Sequence, residues 1–207
     1  MLTALVTGGT SGIGAAFARS LARRGFNLVL VARDTQRLES TARELGAAQG
    51  IHVETLTADL AETEDLLHVA ERLEDPDRPV DMLVNNAGFS VKVPYTAQDF
   101  SQHEAGFQVM CAAVARLSGA AARAMTARHS GWIVNVTSTS GCVTMGDYSA
   151  IKAYATAMTE SLAVELHGTG VHVTALLPGW VRTEFHSRAG ITGSSIADFM
   201  WLDADRL

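Results

Sequence analysis

The chain has 207 residues, 47% hydrophobic and 18% charged, which is enough apolar material for one substantial core and is most simply a single domain over 1–207. A formal net charge of −6, with no basic stretch interleaved with aromatics, argues against nucleic-acid or anionic-membrane binding and leaves a small molecule as the expected partner. No apolar run approaches the roughly 18–20 residues of a membrane span, and the opening Leu2 to Val6 is too short for a signal-peptide core, so the cytoplasm is the default compartment.

Short runs rich in Val, Leu and Ile alternate with amphipathic stretches, the pattern of a parallel sheet covered by helices. In chain order, a strand at Thr3 to Val6 precedes a helix at Ile13 to Arg24, and a strand at Asn27 to Ala32 precedes a helix at Gln36 to Ala47. A third strand, His52 to Thr57, leads to a helix at Thr63 to Leu73, and a fourth, Asp81 to Val84, to a long helix around Glu104 to Arg128. The fifth strand is Trp132 to Val136, followed by a helix from Ser149 to His167 and a last strand at His172 to Leu176. Gly25, Gly46 and Gly168 stand where helices should stop, since glycine tolerates the positive φ found just past a helix end. Cys111 and Cys142 show neither CxxC nor histidine spacing, which argues against a disulfide framework or a zinc site and predicts two buried free thiols.

Directly after the first strand, Gly8, Thr10, Ser11, Gly12, Ile13 and Gly14 form a glycine-rich turn that opens a helix. Glycines there let the backbone approach a pyrophosphate, to which the helix N-terminus offers free N–H groups. The second strand ends Ala32-Arg33-Asp34. An acidic residue at that point holds a ribose 2′-hydroxyl, and an arginine accommodates a 2′-phosphate. Arg33 favours the phosphate, and Asp34 keeps the alternative open. After the third strand, Asp59-Leu60 is placed either to accept from an adenine amino group or to cap a turn. Asn86, Ala87 and Gly88, after Asn85, combine amide and small residues, suiting either a backbone close to a ribose or a tight turn.

Tyr148 and Lys152 stand four apart in a chain with three tyrosines, on a helical stretch without Gly or Pro, so phenol and ammonium share a face. A nearby cation favours phenolate, which would bring the group toward proton exchange with a substrate. The bland alternative is an exposed pair on a solvated helix.

Taken in order, Thr7-Gly8-x-x-x-Gly12-x-Gly14, Asn85-Asn86-Ala87-Gly88, Ser138, Tyr148-x-x-x-Lys152 and Pro178-Gly179 resemble the short-chain dehydrogenase/reductase family over residues 1 to about 185. The resemblance implies an α/β, Rossmann-like doubly wound sheet of order 3-2-1-4-5-6, and hydride transfer between NAD(P)(H) and a carbonyl or alcohol, with NADP(H) favoured and NAD(H) possible. Tyr148 matches the family's acid/base, Lys152 the residue that holds the nicotinamide ribose and keeps the phenol acidic, and Ser138 the residue that hydrogen-bonds the substrate oxygen. Pro178, Gly179, Val181 and Thr183 match the segment against the nicotinamide. The family also implies a homo-oligomer, for which Ala112, Ala113, Gly119, Ala120, Ala121 and Ala124 offer a small-residue face.

Three features depart from the family pattern. Met110 stands where many members carry an asparagine that organises a proton relay, and Ser138 precedes Tyr148 by ten residues, about three fewer than usual. The chain stops at Leu207, before the family's seventh strand, so 185–207 is expected to form a substrate lid or a shortened C-terminal region, with Asp198 to Leu207 reading as the beginning of a helix. The sheet edge would then need cover from a partner, with Phe185, Phe199, Met200 and Trp201 as candidates for lid or cover. The alternative function is a catalytically weak NAD(P)-binding regulatory or scaffold protein. A methyltransferase with a similar glycine turn would leave Tyr148 and Lys152 unexplained.

Overall fold

Successive side chains of a strand point to opposite faces, so aliphatic strands at the centre of a sheet feed two core layers at once. A computed structural model describes residues 1–184 and 197–206. Its six parallel strands are β1 (Thr3–Thr7), β2 (Asn27–Ala32), β3 (Val53–Thr57), β4 (Met82–Asn85), β5 (Gly131–Val136) and β6 (Val171–Leu176), in the expected order β3-β2-β1-β4-β5-β6. Leu5 pairs with Val29 on one side and Leu83 on the other, and Leu83 pairs with Ile133. Those residues pack in one layer with Leu66, Val69 and Leu73 of α3 (Thr63–Glu74), Leu117 and Ala121 of α5 (Ala113–Ala127) and Ile151 of α6 (Asp147–Glu165). Ala4, Val6, Leu28 and Leu30 face the other way, onto Ala18 and Leu21 of α1 (Gly12–Arg23) and Leu38 of α2 (Thr35–Gln49). Each fully buried Leu or Ile contributes about 1.5–3 kcal/mol.

The order reverses between β1 and β4, which opens a crevice at their carboxyl ends, the place where doubly wound sheets hold ligands. Below that crevice lies a closed polar network. Asn85 Nδ2 donates to Asn135 Oδ1 at 2.9 Å and to Ser118 Oγ at 3.1 Å, and Asn135 Nδ2 donates to Thr159 Oγ1 at 2.9 Å. All four residues are buried, so β4, β5, α5 and α6 are joined by bonds that water cannot replace.

Several boundaries differ from the sequence expectation. Gly46 lies inside α2, which ends instead on Gly50 at φ 66°, while Gly25 and Gly168 do follow helix ends at φ 79°. Helix α4 (Ser101–Phe107) runs through a π-turn at Gln108–Ala112 into α5, making one helix of 27 residues, Ser101–Ala127. By length and composition it is apolar enough to cross a membrane, which amends the reading that nothing approaches a span. Its residues Leu117, Ala120 and Met125 are fully buried against the sheet, which accounts for that apolarity within the fold. Of the small-residue face, Ala113, Ala120 and Ala121 are spent on this core, leaving Ala112, Gly119 and Ala124 half-buried. Cys111 is buried as expected, but Cys142 is exposed, because it ends a surface 3₁₀ turn, Thr139–Cys142.

Among the described residues, Asp198 to Arg206 is not the start of a helix. β7 (Trp180–Arg182) pairs in parallel with β8 (Trp201–Asp203), which lies between 3₁₀ turns at Asp198–Met200 and Ala204–Arg206. Tertiary contacts override helix propensity here. The Trp180 and Trp201 rings lie 5.6 Å apart, Arg182 reaches Asp198 at 3.0 Å, and Arg19 of α1 reaches Asp205 at 2.7 Å. Met200 is exposed, whereas Phe185 and the Phe199 side chain lie outside the described residues. Among the described residues, β6 is an edge of the main sheet.

Asn135→Ala removes one member of the buried network and leaves Asn85 and Thr159 short of partners. The expected loss is about 2–3 kcal/mol of unfolding free energy, read from urea denaturation; a shift below about 0.5 kcal/mol would remove the network from the account of stability.

Candidate active site

The glycine turn is shaped by what it must pass. Gly8 (φ +65°) donates its N–H to Val31 O at 2.8 Å, and Gly12 also has positive φ, at +52°. A Cβ on Gly14 would collide with Gly8 O and Asn86 Nδ2. Ser11 is the N-cap of α1 but its side chain makes no cap bond, and no acidic residue stands in the first turn. The N–H groups of that turn therefore face the crevice without a side-chain acceptor, and an anion is the partner they suit. Thr10, Ser11 and Ile13 are half-buried beside them.

Asn86 is committed to the fold. Its Nδ2 donates to Thr7 O at 3.0 Å and its backbone N–H to Thr7 Oγ1 at 2.9 Å; Ala87 N–H shares that hydroxyl at 3.0 Å. The bend Asn86, Ala87, Gly88 is thus a tight turn stitched to β1, with the Gly88 backbone exposed at the crevice. At the end of β2, Asp34 caps α2 by accepting from Arg37 N–H at 3.0 Å, while Arg33 is three-quarters exposed, 3.6 Å from Asp59 Oδ2. Asp59 also closes a turn by accepting from Ala61 N–H at 3.0 Å, and the Leu60 side chain is buried in the core.

At the other end of the crevice, Tyr148 stands in the first turn of α6, hydrogen-bonded to Ser138, which follows β5. Ser138 Oγ also accepts from Ser140 N–H at 3.1 Å. Lys152, one turn on, is buried; its Nζ donates to Val136 O at 2.9 Å and lies 5.7 Å from the Tyr148 ring centroid. Burial pushes the Tyr148 phenol up to about 12, against the Ser138 bond, which pulls it down. Burial also pushes the Lys152 ammonium down to about 8. The expectation of a phenol made more acidic is therefore reversed: desolvation wins, and the ammonium is spent on a carbonyl rather than on the phenol oxygen. The β6 loop closes the site. Thr139 N–H donates to Pro178 O at 3.1 Å, Gly179 is exposed, Val181 is buried in β7, and a Cβ added to Gly12 would meet Thr183 Cβ at 3.2 Å.

A family model described as short chain dehydrogenase matches residues 2–191. The chain belongs to the short-chain dehydrogenase family. An uncharacterized oxidoreductase of Staphylococcus saprophyticus is 36% identical over 183 residues, 87% of this chain and 78% of that relative. A galactitol 2-dehydrogenase of Cereibacter sphaeroides is 36% identical over 186 residues, 87% of this chain and 72% of that one. A solved short-chain dehydrogenase from Sphingobium yanoikuyae in complex with NADPH superposes on the whole chain at a TM-score of 0.93 and 37% identity, with 80% of that protein covered.

In this short-chain dehydrogenase Met110 lies in the π-turn, 1% exposed, its sulfur 2.9 Å from where a Cβ on Gly88 would be. A thioether fills that space and offers no amide to hold water. Sequence reasoning missed a second cluster behind Tyr148. His103 Nδ1 lies 2.7 Å from Asp147 Oδ2, Tyr95 donates its hydroxyl to Asp147 Oδ1 at 3.0 Å, and the His103 ring stacks on Tyr95 and on Phe100. These residues, with Glu104 and Phe107, line a cavity of about 380 Å³. The two bonds to Asp147 span 44 and 52 positions, so no local spacing announces them; the one available signal was an aspartate directly before Tyr148.

The buried ammonium gives a signed stability prediction. Between pH about 8 and 10.5 the unfolded chain keeps a proton at Lys152 that the folded chain has released, so this group's contribution rises with pH across that window. Lys152→Met should lose that rise: its midpoint in urea relative to wild type should fall between pH 8 and pH 10, and parallel profiles would show an ordinary ammonium pKa.

Proposed function

We propose that this short-chain dehydrogenase is an NADP(H)-preferring oxidoreductase that interconverts a carbonyl and an alcohol, with Tyr148 as general acid/base. The observation that carries the reading is the bonded Ser138–Tyr148 pair with buried Lys152 beneath it, at the open end of a glycine-turned crevice. The glycine cradle and the uncapped first turn of α1 fit the pyrophosphate of a dinucleotide. Asp34 is occupied as a helix cap and Arg33 is exposed at the strand end, which supports the phosphate-bearing cofactor over NAD(H).

When bound, the nicotinamide supplies or takes up the hydride. Tyr148 gives its proton to the developing alkoxide in reduction and takes it back in oxidation, and the Ser138 hydroxyl donates to the same oxygen. Lys152, still protonated at neutral pH, is the residue to hold the nicotinamide ribose. Exposed Val143 and Met145, on the short loop between Ser138 and Tyr148, give the substrate an apolar wall and favour a moderately apolar ketone or alcohol. A second reading, a cofactor-binding protein with weak turnover, is favoured by Met110 in place of a relay amide.

Calorimetric titration separates these readings from no nucleotide site at all: NADPH should bind more tightly than NADH, and equal affinities would withdraw the preference. Tyr148→Phe should keep NADPH binding and lower kcat on a ketone panel by about 10²–10⁴-fold. An active wild type unaffected by the substitution would remove Tyr148 from the chemistry, and a wild type that binds NADPH but turns over nothing would favour the second reading.

A further inference from the structure

Behind Tyr148 stands a buried histidine that the chemistry above does not use. His103 of α4 is 4% exposed, its Nδ1 lies 2.7 Å from Asp147 Oδ2, and its ring stacks on Tyr95 and on Phe100. Its Nε2 is buried without a hydrogen-bond partner. A proton on Nε2 would be a buried donor with nothing to accept it, so the neutral ring carries its proton on Nδ1 and donates it to Asp147. One turn further along, α4 meets α6 again. A Cβ on Gly106 would come within 2.6 Å of Val91 Cγ2 and 3.2 Å of Ile151 Cδ1, so the bare glycine backbone lets α4 lie close to α6. The two contacts fall on Asp147 and Ile151, which bracket Tyr148 and end one residue short of Lys152.

We propose that His103 is a positioning residue, whose bond to Asp147 sets the place of the Tyr148 phenol from outside the crevice. Its kinetic consequence rests on the acid/base reading of Tyr148 above. Gly146, the N-cap of α6, has no side chain to offer the first turn, and Asp147 is the first residue of that turn. One peptide unit joins Asp147 to Tyr148, so a displaced carboxylate carries the phenol with it. Misplacing a reacting group by about 1 Å costs up to about 10²-fold in rate. The groups that would hold the cofactor lie on other elements, the glycine turn and the β6 loop, so loss of the His103 bond acts on kcat and spares binding.

Two substitutions in the full chain separate the bond from the ring. His103→Phe keeps a ring for Tyr95 and Phe100 to stack on and loses the bond, whereas His103→Asn loses the ring and keeps an N–H at the place of Nδ1. With three tyrosines in the chain, the Tyr148 ring can be followed by NMR of tyrosine-labelled protein, assigned through Tyr148→Phe. His103→Phe should move the Tyr148 signal and lower kcat about 10- to 100-fold, with KM and the NADPH Kd within about twofold of wild type. His103→Asn should leave the Tyr148 signal in place and kcat within about threefold of wild type. Asp147→Ala removes the same bond from its other side and should lower kcat alike, and adding His103→Phe to it should cost nothing further. A Tyr148 signal unmoved in His103→Phe, or His103→Asn as the poorer of the two variants, shows that the ring packs without positioning and overturns the proposal. A wild type that turns over no ketone removes the acid/base reading, while the Tyr148 signal still decides whether His103 places the phenol.

Discussion

Thr7 Oγ1 accepts from the backbone N–H groups of Asn86 and Ala87, and the Asn86 side chain returns a bond to Thr7 O, so the ends of β1 and β4 are stitched where the strand order reverses. Both turns that face the crevice hang from those two strand ends. Asn86 Nδ2 also reaches Gly8 O at 3.3 Å, and a Cβ on Gly14 would occupy the space it needs. The glycines thus answer two demands with one geometry. They let the turn curl tightly enough to be held from β4, and that curl brings the N-terminus of α1 to the crevice with its N–H groups forward.

The opposite end of the crevice is governed by desolvation. Lys152 is buried as a cation with the Val136 carbonyl as its acceptor, and Tyr148 is held neutral in the same surroundings. Each group is displaced from its ordinary range by burial, in the direction that disfavours charge. A proton on Tyr148 is therefore firmly held in the folded chain, which suits a donor to an alkoxide better than a resident phenolate. A charged or strongly polar group arriving beside the phenol changes that balance most, because burial is the dominant cause of the shift.

The strands and the motif-bearing turns were readable from the sequence, since aliphatic runs and glycine-rich turns are local signals, whereas the strand order came with the family resemblance. The ten-residue step from Ser138 to Tyr148 proved long enough for a 3₁₀ turn and a bond between the two side chains. What escaped was set by distant partners. Gly46 looked like a helix end until Gly50 supplied a better left-handed position four residues on, and the tail looked helical until Trp201 found Trp180. Asp34 is the instructive case. Its carboxylate could serve a ribose or a helix, and only the position of the Arg37 N–H decides for the helix.

Helix α6 follows its N-cap Gly146, φ 79°, which has no side chain to bond the first turn, and locally only Ser149 Oγ reaches back, accepting from Met145 N–H at 3.3 Å. Asp147 adds a tertiary anchor, held by His103 of α4 and by the Tyr95 hydroxyl. Tyr148 is then fixed from three directions: by Ser138 from β5, by the Lys152 turn tied to Val136, and through its neighbour Asp147 to α4. A local cap would have held the helix end whatever α4 did. The tertiary anchor instead makes the position of the phenol depend on how α4 packs, so a substitution in the Tyr95–Phe100–His103 cluster acts on Tyr148 without touching the crevice.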